Sequence, residues 1–211
     1  IEKLINKHQI ELEGVEIVNL RHDRESSRRK KYAKMLTAKR QREGMTMDEA
    51  YEKMFDRNYF GMMMVEAGDA DAFITGVYTK YQDAITPAIE IVGMREGLRH
   101  IAGLNIVTTK LGTFFFADTM VNNHPSKETL IDIANLTHDA VKLFNTEPVM
   151  AMLSYSNFGE RNIGSPAMVS DAVAYLHANN PEMLIDGEMQ VNFAIDKELR
   201  HDKFPFSKID G

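Results

Sequence analysis

Leu111-Gly112-Thr113-Phe114-Phe115-Phe116-Ala117, closed by Asp118, opens the stretch that decides the fold. An apolar run this short and aromatic predicts a strand buried on both faces. Ser126 then predicts a helix N-cap, with Glu128 in the first turn near the positive helix end. Leu130, Ile133, Ala134, Thr137, Ala140, Val141 and Phe144 recur at helical spacing and mark the core face. Val149-Met150-Ala151-Met152-Leu153 reads as a second buried strand. It runs into the polar loop from Ser154 to Gly164, after which Ser165 reads as N-cap and Pro166 as the first helical residue. A β-α-β-loop-α order predicts an open α/β sheet, and such sheets bind ligands at the C-terminal ends of their strands.

Upstream of this unit, Asn105–Thr109 and Thr113–Ala117 flank the Lys110-Leu111-Gly112 turn and predict a hairpin within a mainly parallel sheet. Ala72–Val77 reads as a buried strand, and Tyr78–Asp83 as the polar segment at its end. A helix through Pro87 to Val92 follows, since proline is tolerated only near a first turn. Residues 1–13 read as an amphipathic helix and Gly14–Leu20 as a short strand. Arg28–Arg42 reads as a basic helix with Tyr32, Met35 and Leu36 inside. Thr46 and Glu49 form a capping box ahead of a helix that turns Ala50 and Met54 inward. The next helix, 58–67, buries Phe60, Met63 and Met64. Downstream of the central unit come helix 166–178, a stop at Asn179-Asn180-Pro181, a short strand 183–185, a turn at Asp186-Gly187-Glu188, and a helix through Phe193 to Leu199.

Composition narrows the class. The chain has 211 residues, 44% of them hydrophobic, enough for one large domain or one and a half small ones. It has no cysteine, so disulfides and thiolate metal sites are excluded. No apolar run approaches the roughly 20 residues that span a membrane, and no signal peptide is visible, so a cytoplasmic location is expected. The net charge of −6 hides an asymmetry, because Arg21–Arg42 carries ten Lys or Arg against Asp23 and Glu25. That window is +8, leaving −14 elsewhere. It reads either as a solvated helix face or as a patch for a phosphorylated ligand. Nucleic acid is disfavoured, since only Tyr32 interleaves the charges and the remainder is acidic.

Sites legible from spacing alone are few. The seven histidines show no metal-ligand spacing. The acidic pairs Asp69/Asp71 and Asp186/Glu188 lie beside glycines, where aspartate is favoured for turns. No G-x-G-x-x-G or Walker loop is present. Ser154, Ser156 and Asn157 offer polar groups next to a helix N-terminus, a place that favours anions. A capped loop of that composition also suits an ordinary connection.

Four segments taken in order resemble the phosphate acetyl/butyryltransferase family. They are Arg40–Thr46; Tyr59–Val65 running into Gly68-Asp69-Ala70-Asp71 and Thr75-Gly76; Phe116-Ala117-Asp118 with Val121-Asn122; and Met152–Ser156, closed by Asp186-Gly187-Glu188. Within the family the chain resembles most the C-terminal phosphotransacetylase-like domain of hybrid NADP-dependent malic enzymes, through Ser154-Tyr155-Ser156-Asn157-Phe158-Gly159. The resemblance implies a three-layer, open, mainly parallel α/β sheet of the isocitrate/isopropylmalate dehydrogenase-like type, incomplete at both ends. It implies an outer-lobe part at residues 1–77 and an inner, dimerising lobe at 78–211. It also implies a coenzyme A thioester site, with Arg40, Thr79, Lys80, Asp83, Thr86, Ser154, Ser156 and Asn157 as the acyl-CoA and phosphate contacts, no catalytic residue and no metal ligand.

One departure bears on function. Active members place an arginine before the Pro-Ala of the helix after the second segment, where it meets phosphate; here that position is Thr86, before Pro87-Ala88. A threonine hydroxyl cannot supply a bidentate, charge-assisted grip. Two functions are therefore expected to compete. One is a non-catalytic, acetyl-CoA-responsive regulatory and oligomerisation domain, joined in the parent chain to a malic-enzyme part that holds NADP and a divalent metal. The other is a phosphate acetyltransferase converting acetyl-CoA and phosphate to acetyl phosphate and CoA. A homodimer or higher homo-oligomer is expected in either case, with no nucleic-acid or membrane partner.

Overall fold

The computed structural model describes residues 2–76 and 79–209, and these fall into two compact units, Ile1–Gly93 and Met94–Gly211. The helix that follows residue 80 packs on helices before it.

Among its described residues the first unit holds helices and no strand: α1 Glu2–His8, α2 Ser26–Arg40, α3 Met47–Lys53, α4 Arg57–Glu66 and α5 Tyr81–Ile91. Helix α2 buries Arg29, Tyr32, Ala33 and Leu36, an i, i+3, i+4, i+7 stripe. Tyr32 meets Phe60 edge to face at 5.1 Å, inside a core completed by Ala50, Met54, Met63 and Ile91. The capping box forms as read: Thr46 Oγ1 accepts from the Glu49 N–H, and the Glu49 carboxylate accepts from the Thr46 N–H. Helix α5 carries Pro87 at its seventh position, well past its first turn. Proline cannot donate to the Asp83 carbonyl four residues back; the Asn58 side-chain amide donates to it instead, at 3.1 Å.

Among the described residues of this unit, neither expected strand forms. Residues 15–19 and 72–76 are irregular, because neither stretch meets a partner strand. Side chains answer the backbone of the first: Arg24 donates to the Ile17 carbonyl at 2.8 Å, and buried Arg29 to the Leu20 and His22 carbonyls at 2.5 and 3.0 Å. Val77 and Tyr78 lie outside the described residues. Much of the basic window is consumed internally. Arg28 pairs with Glu16 and Glu25, Lys31 with Asp69, Lys39 with Glu66 and Arg40 with Glu43.

The second unit is α/β. Strands β1 Leu104–Thr109 and β2 Gly112–Ala117 form the expected antiparallel hairpin, with Thr109 opposite Gly112. Helix α6, Lys127–Lys142, starts at Ser126, whose hydroxyl accepts from the Thr129 N–H, and buries Ile133, Ala134 and Val141. Strands β3 Val149–Leu153 and β4 Leu184–Met189 are parallel, joined by α7 Gly164–Asn179. Short helices α8 Val191–Ile195 and α9 Lys197–Lys203 follow, hinged at Asp196, where the sequence suggested one helix. Leu176, Met183, Ile185 and Ala134 make the local core.

Among the described residues the strands form two separate two-stranded sheets, so the hairpin does not lie within a mainly parallel sheet. Strand β2 is consequently not buried on both faces: Phe116 is 37% exposed, and Leu111 at the turn 81%. Helix α7 begins at Gly164 with Ile163 as N-cap, so Ser165 is not the cap and Pro166 lies inside the first turn. Asp186, Gly187 and Glu188 belong to β4 rather than to a turn.

Candidate functional site

The loop after β3 is held to the end of β4 by a set of hydrogen bonds. The Ser154 N–H donates to the Met189 carbonyl at 2.9 Å, extending the parallel ladder by one step. The Phe158 N–H donates to the Glu188 carbonyl at 2.8 Å and the Gly159 N–H to the Glu188 carboxylate at 2.6 Å. In return, the Gln190 N–H donates to Asn157 Oδ1, and the Gln190 side-chain amide to the Tyr155 carbonyl, both at 2.9 Å. Phe158 and Gly159 have φ of +38° and +85°. A left-handed phenylalanine is strained; its ring is held against Phe204 and Phe206 at centroid distances of 4.8 and 5.1 Å.

Two polar atoms in this network have no hydrogen-bond partner. Ser156 and Glu188 are each 1% exposed, yet Ser156 Oγ and Glu188 Oε2 are unpaired. A buried hydroxyl without a partner costs about 1–3 kcal/mol. Native structures retain such atoms where a ligand, ion or water answers them. Asp186, two residues before Glu188 on β4, is engaged internally: its carboxylate accepts from the Ser207 hydroxyl at 2.9 Å and the Lys208 N–H at 2.6 Å.

The remaining expected contacts lie in the first unit. Thr79 and Lys80 precede α5, with Lys80 as its N-cap. The Thr79 hydroxyl accepts from the Arg57 guanidinium at 2.8 Å. Asp83 and Thr86 follow at i, i+3 spacing on α5, both exposed. Arg40 ends α2 and pairs with Glu43 at 2.9 Å. So α5 carries two of the expected residues and the segment just ahead of it two more, the β3 loop gathers three, and Arg40 stands at a third position.

The acidic pairs do not form acid–base dyads. Asp69 accepts from the Tyr32 hydroxyl at 2.6 Å and from Lys31 at 2.9 Å. These contacts hold its pKa below the usual carboxylate range, while burial and the Asp69 carboxylate push the Tyr32 phenol up. Asp118, quoted in the family pattern, anchors a turn. It accepts from the N–H groups of Gly103, Met120, Val121 and Asn122 and from the Asn122 side-chain amide. Burial would raise its pKa, but the donors outweigh burial and lower it. Sequence reasoning missed the Phe158–Phe204–Phe206 cluster and the part Glu188 plays in the loop. The Phe204-Pro205-Phe206 repeat is the only sequence signal of the cluster, and nothing in it points to Phe158.

The model of the phosphate acetyl/butaryl transferase family matches residues 1–211. The NADP-dependent malic enzyme of Salmonella typhimurium is 33% identical over 171 residues, covering 81% of this chain and 22% of that protein. The phosphate acetyltransferase of Bacillus subtilis is 33% identical over 166 residues, 79% of this chain and 51% of that one. The chain thus spans about a fifth of the malic enzyme and about half of the acetyltransferase. Among solved structures, a phosphotransacetylase from Streptococcus pyogenes superposes with a TM-score of 0.82 at 25% identity, over 99% of this chain and 63% of its own. EutD phosphotransacetylase from Staphylococcus aureus superposes at 0.80 with 24% identity, over 100% and 64%. Both place this chain in the phosphotransacetylase-type α/β fold.

Proposed function

Because the chain belongs to the phosphate acetyl/butaryl transferase family, we propose that it is a non-catalytic, acetyl-CoA-responsive regulatory and oligomerisation region of an NADP-dependent malic enzyme. The observation that carries the ligand is the buried, unpaired Ser156 hydroxyl. Its loop is otherwise tied down by both backbone and side chains, so a spare donor there suits a carbonyl of an acyl thioester or of a pantetheine amide. Ser154 and Asn157 are the further contacts proposed in this loop; Arg40, Thr79, Lys80 and Asp83, in the other unit, are proposed as acyl-CoA and phosphate contacts by their likeness to the family alone. Thr86 carries the non-catalytic half of the reading: at the place where active relatives hold phosphate with a guanidinium, a hydroxyl makes a poor substitute. NADP and a divalent metal belong, in this reading, to another part of the same protein, where malate is oxidised. Residues 78–211 act as the dimerising lobe and residues 1–77 as part of the outer one.

The second reading, a phosphate acetyltransferase, is favoured by the 33% identity to the Bacillus subtilis enzyme and by Arg40. One experiment separates the two: calorimetric titration of acetyl-CoA into the whole gene product and its Ser156→Ala variant, with acetyl phosphate assayed on the same samples. Binding without acetyl phosphate, weakened about tenfold in the variant (~1.4 kcal/mol), is the expected result. Formation of acetyl phosphate overturns the regulatory reading in favour of the transferase. Absence of binding overturns both.

A further inference from the structure

His100 stands outside the loop after β3, and both of its ring nitrogens are engaged. Nδ1 lies 2.7 Å from Asp132 Oδ2, and Nε2 lies 3.3 Å from Thr129 Oγ1. A carboxylate only accepts, so Nδ1 of the neutral imidazole carries the proton and Nε2 keeps its lone pair. Thr129 is 5% exposed, and its hydroxyl faces His100 Nε2 on one side and Ser126 Oγ, at 3.1 Å, on the other. Ser126 Oγ donates to Glu128 Oε2 at 2.9 Å and accepts from the Thr129 N–H as the cap of α6. The cap is thus complete without the threonine hydroxyl, whose proton is available to Nε2. Nor is that hydroxyl needed to attach the segment before β1 to α6: Arg95 pairs with Asp139, and the Arg99 N–H donates to Asp132 Oδ2 at 3.4 Å. Hydroxyl, imidazole and carboxylate in this order make the nucleophile, base and orienting group of covalent acyl transfer. They stand at the start of a 16-residue helix, whose positive end favours the charge that develops on a carbonyl oxygen under attack. The imidazole is the open side, the His100 side chain being 30% exposed.

We propose that Thr129, His100 and Asp132 form a separate site that hydrolyses small activated acyl esters through an acyl-threonine. His100 Nε2 takes the Thr129 proton as Oγ1 bonds to the carbonyl carbon. The bond to the leaving alcohol then breaks as that oxygen takes the proton from Nε2. Water next gives a proton to Nε2 as its oxygen adds to the same carbon, the bond to Oγ1 breaks, and Thr129 regains its proton. Ester and water become carboxylic acid and alcohol, and nothing is oxidised or reduced. Thr129 and His100 are the catalytic residues, and Asp132 is a positioning residue that holds the ring. Burial of Thr129 restricts the site to short acyl groups that enter past the edge of the imidazole. The proposal is independent of the acetyl-CoA reading, because none of the three residues belongs to the loop after β3 or to the contacts expected for that ligand.

The test uses the whole gene product with p-nitrophenyl acetate. Release of p-nitrophenol is followed, samples are quenched in acid during turnover, and acetylated peptides are mapped by mass spectrometry. The expected intermediate is an acetyl ester on Thr129 that alkaline hydroxylamine removes. His100→Gln should lower kcat by about 100-fold or more, and Asp132→Asn should do the same with KM unchanged, a split that a merely structural role would not give. Thr129→Val should abolish turnover and Thr129→Ser should keep it. Acetyl groups found only on lysines would overturn the proposal, as would turnover that survives Thr129→Val. Loss of turnover in His100→Gln but not in Thr129→Val would assign the reaction to a lone imidazole and overturn it too. Should Thr129→Val fail to fold, the acetyl ester mapped in the wild type and in Thr129→Ser decides, and its absence from residue 129 in both is the overturning result.

Discussion

Replacing Ser156 by alanine separates a ligand-facing hydroxyl from a merely structural one, because stability and binding should move in opposite directions. The side chain is 1% exposed and Oγ has no partner. Folding strips water from that hydroxyl without compensation, at about 1–3 kcal/mol. Ser156→Ala removes the uncompensated group and leaves a void of only one oxygen atom, so the free protein should gain about 1–2 kcal/mol. A unit of about 120 residues unfolds with an entropy near 0.25 kcal/mol per kelvin, so each kcal/mol raises Tm by about 4 °C. Calorimetric melting of the ligand-free variant should therefore show a rise of roughly 4–8 °C. With acetyl-CoA present the order narrows or reverses, since the wild type alone donates to the ligand and holds it about tenfold more tightly. A fall in Tm of the free variant would show that the hydroxyl is already satisfied. A rise with unchanged affinity would show that the ligand does not use it.

The other expected outcomes concern single residues within each unit. Thr46→Ala breaks the capping box of α3 and should cost about 1 kcal/mol by urea denaturation, with Thr46→Asn close to neutral. Asn58→Ala leaves the Asp83 carbonyl unanswered because Pro87 cannot donate to it, so its cost should shrink by about 1 kcal/mol on a Pro87→Ala background, which restores the helical donor; additive costs in that double-mutant cycle would exclude the exchange. The Asp118 carboxyl has a folded pKa below its unfolded value, so its contribution is fully present above about pH 4 and is lost as pH falls from there through the folded value. Asp118→Asn should accordingly lower stability at neutral pH and flatten the acid limb below about pH 4, and an unchanged acid limb would show that the carboxylate is not the group responsible. Arg40→Ala should weaken acetyl-CoA binding and reduce its salt dependence; unchanged affinity would remove Arg40 from the site.

How far the structure could be read beforehand depended on how local its causes are. Caps and helix faces were legible at Ser126, Thr46 and the Tyr32–Leu36 stripe, because the groups that decide them lie within four residues of one another. The β3-loop-α7 unit and the hairpin were legible for the same reason. Strands were not. Val15–Leu20 and Ala72–Gly76 have strand-like composition, but a strand needs a partner across the sheet, and no spacing along the chain reports whether one is present. The same limit explains β2, where Phe114-Phe115-Phe116 reads as fully buried but none of the three is. Asp186 and Glu188 were read as turn residues from their glycine neighbour. They lie in a strand, where glycine allows close backbone approach: a Cβ on Gly187 would come within 2.5 Å of the Met152 carbonyl oxygen.

The loop after β3 divides the residues that the sequence had grouped. Ser154, Ser156 and Asn157 share a polar loop, and composition alone assigns them one role. In the folded chain Asn157 Oδ1 already accepts from Gln190, and Ser154 Oγ already accepts from the Ser156 N–H at 3.4 Å. Phe158 keeps the turn left-handed through Phe204 and Phe206. These three shape the loop, and within it the buried Ser156 hydroxyl and one carboxylate oxygen of Glu188 are left without a partner. The Asn-Phe-Gly sequence is thus explained first by loop geometry. It fixes where the Ser156 hydroxyl sits, so ligand specificity in this part of the chain follows first from that placement.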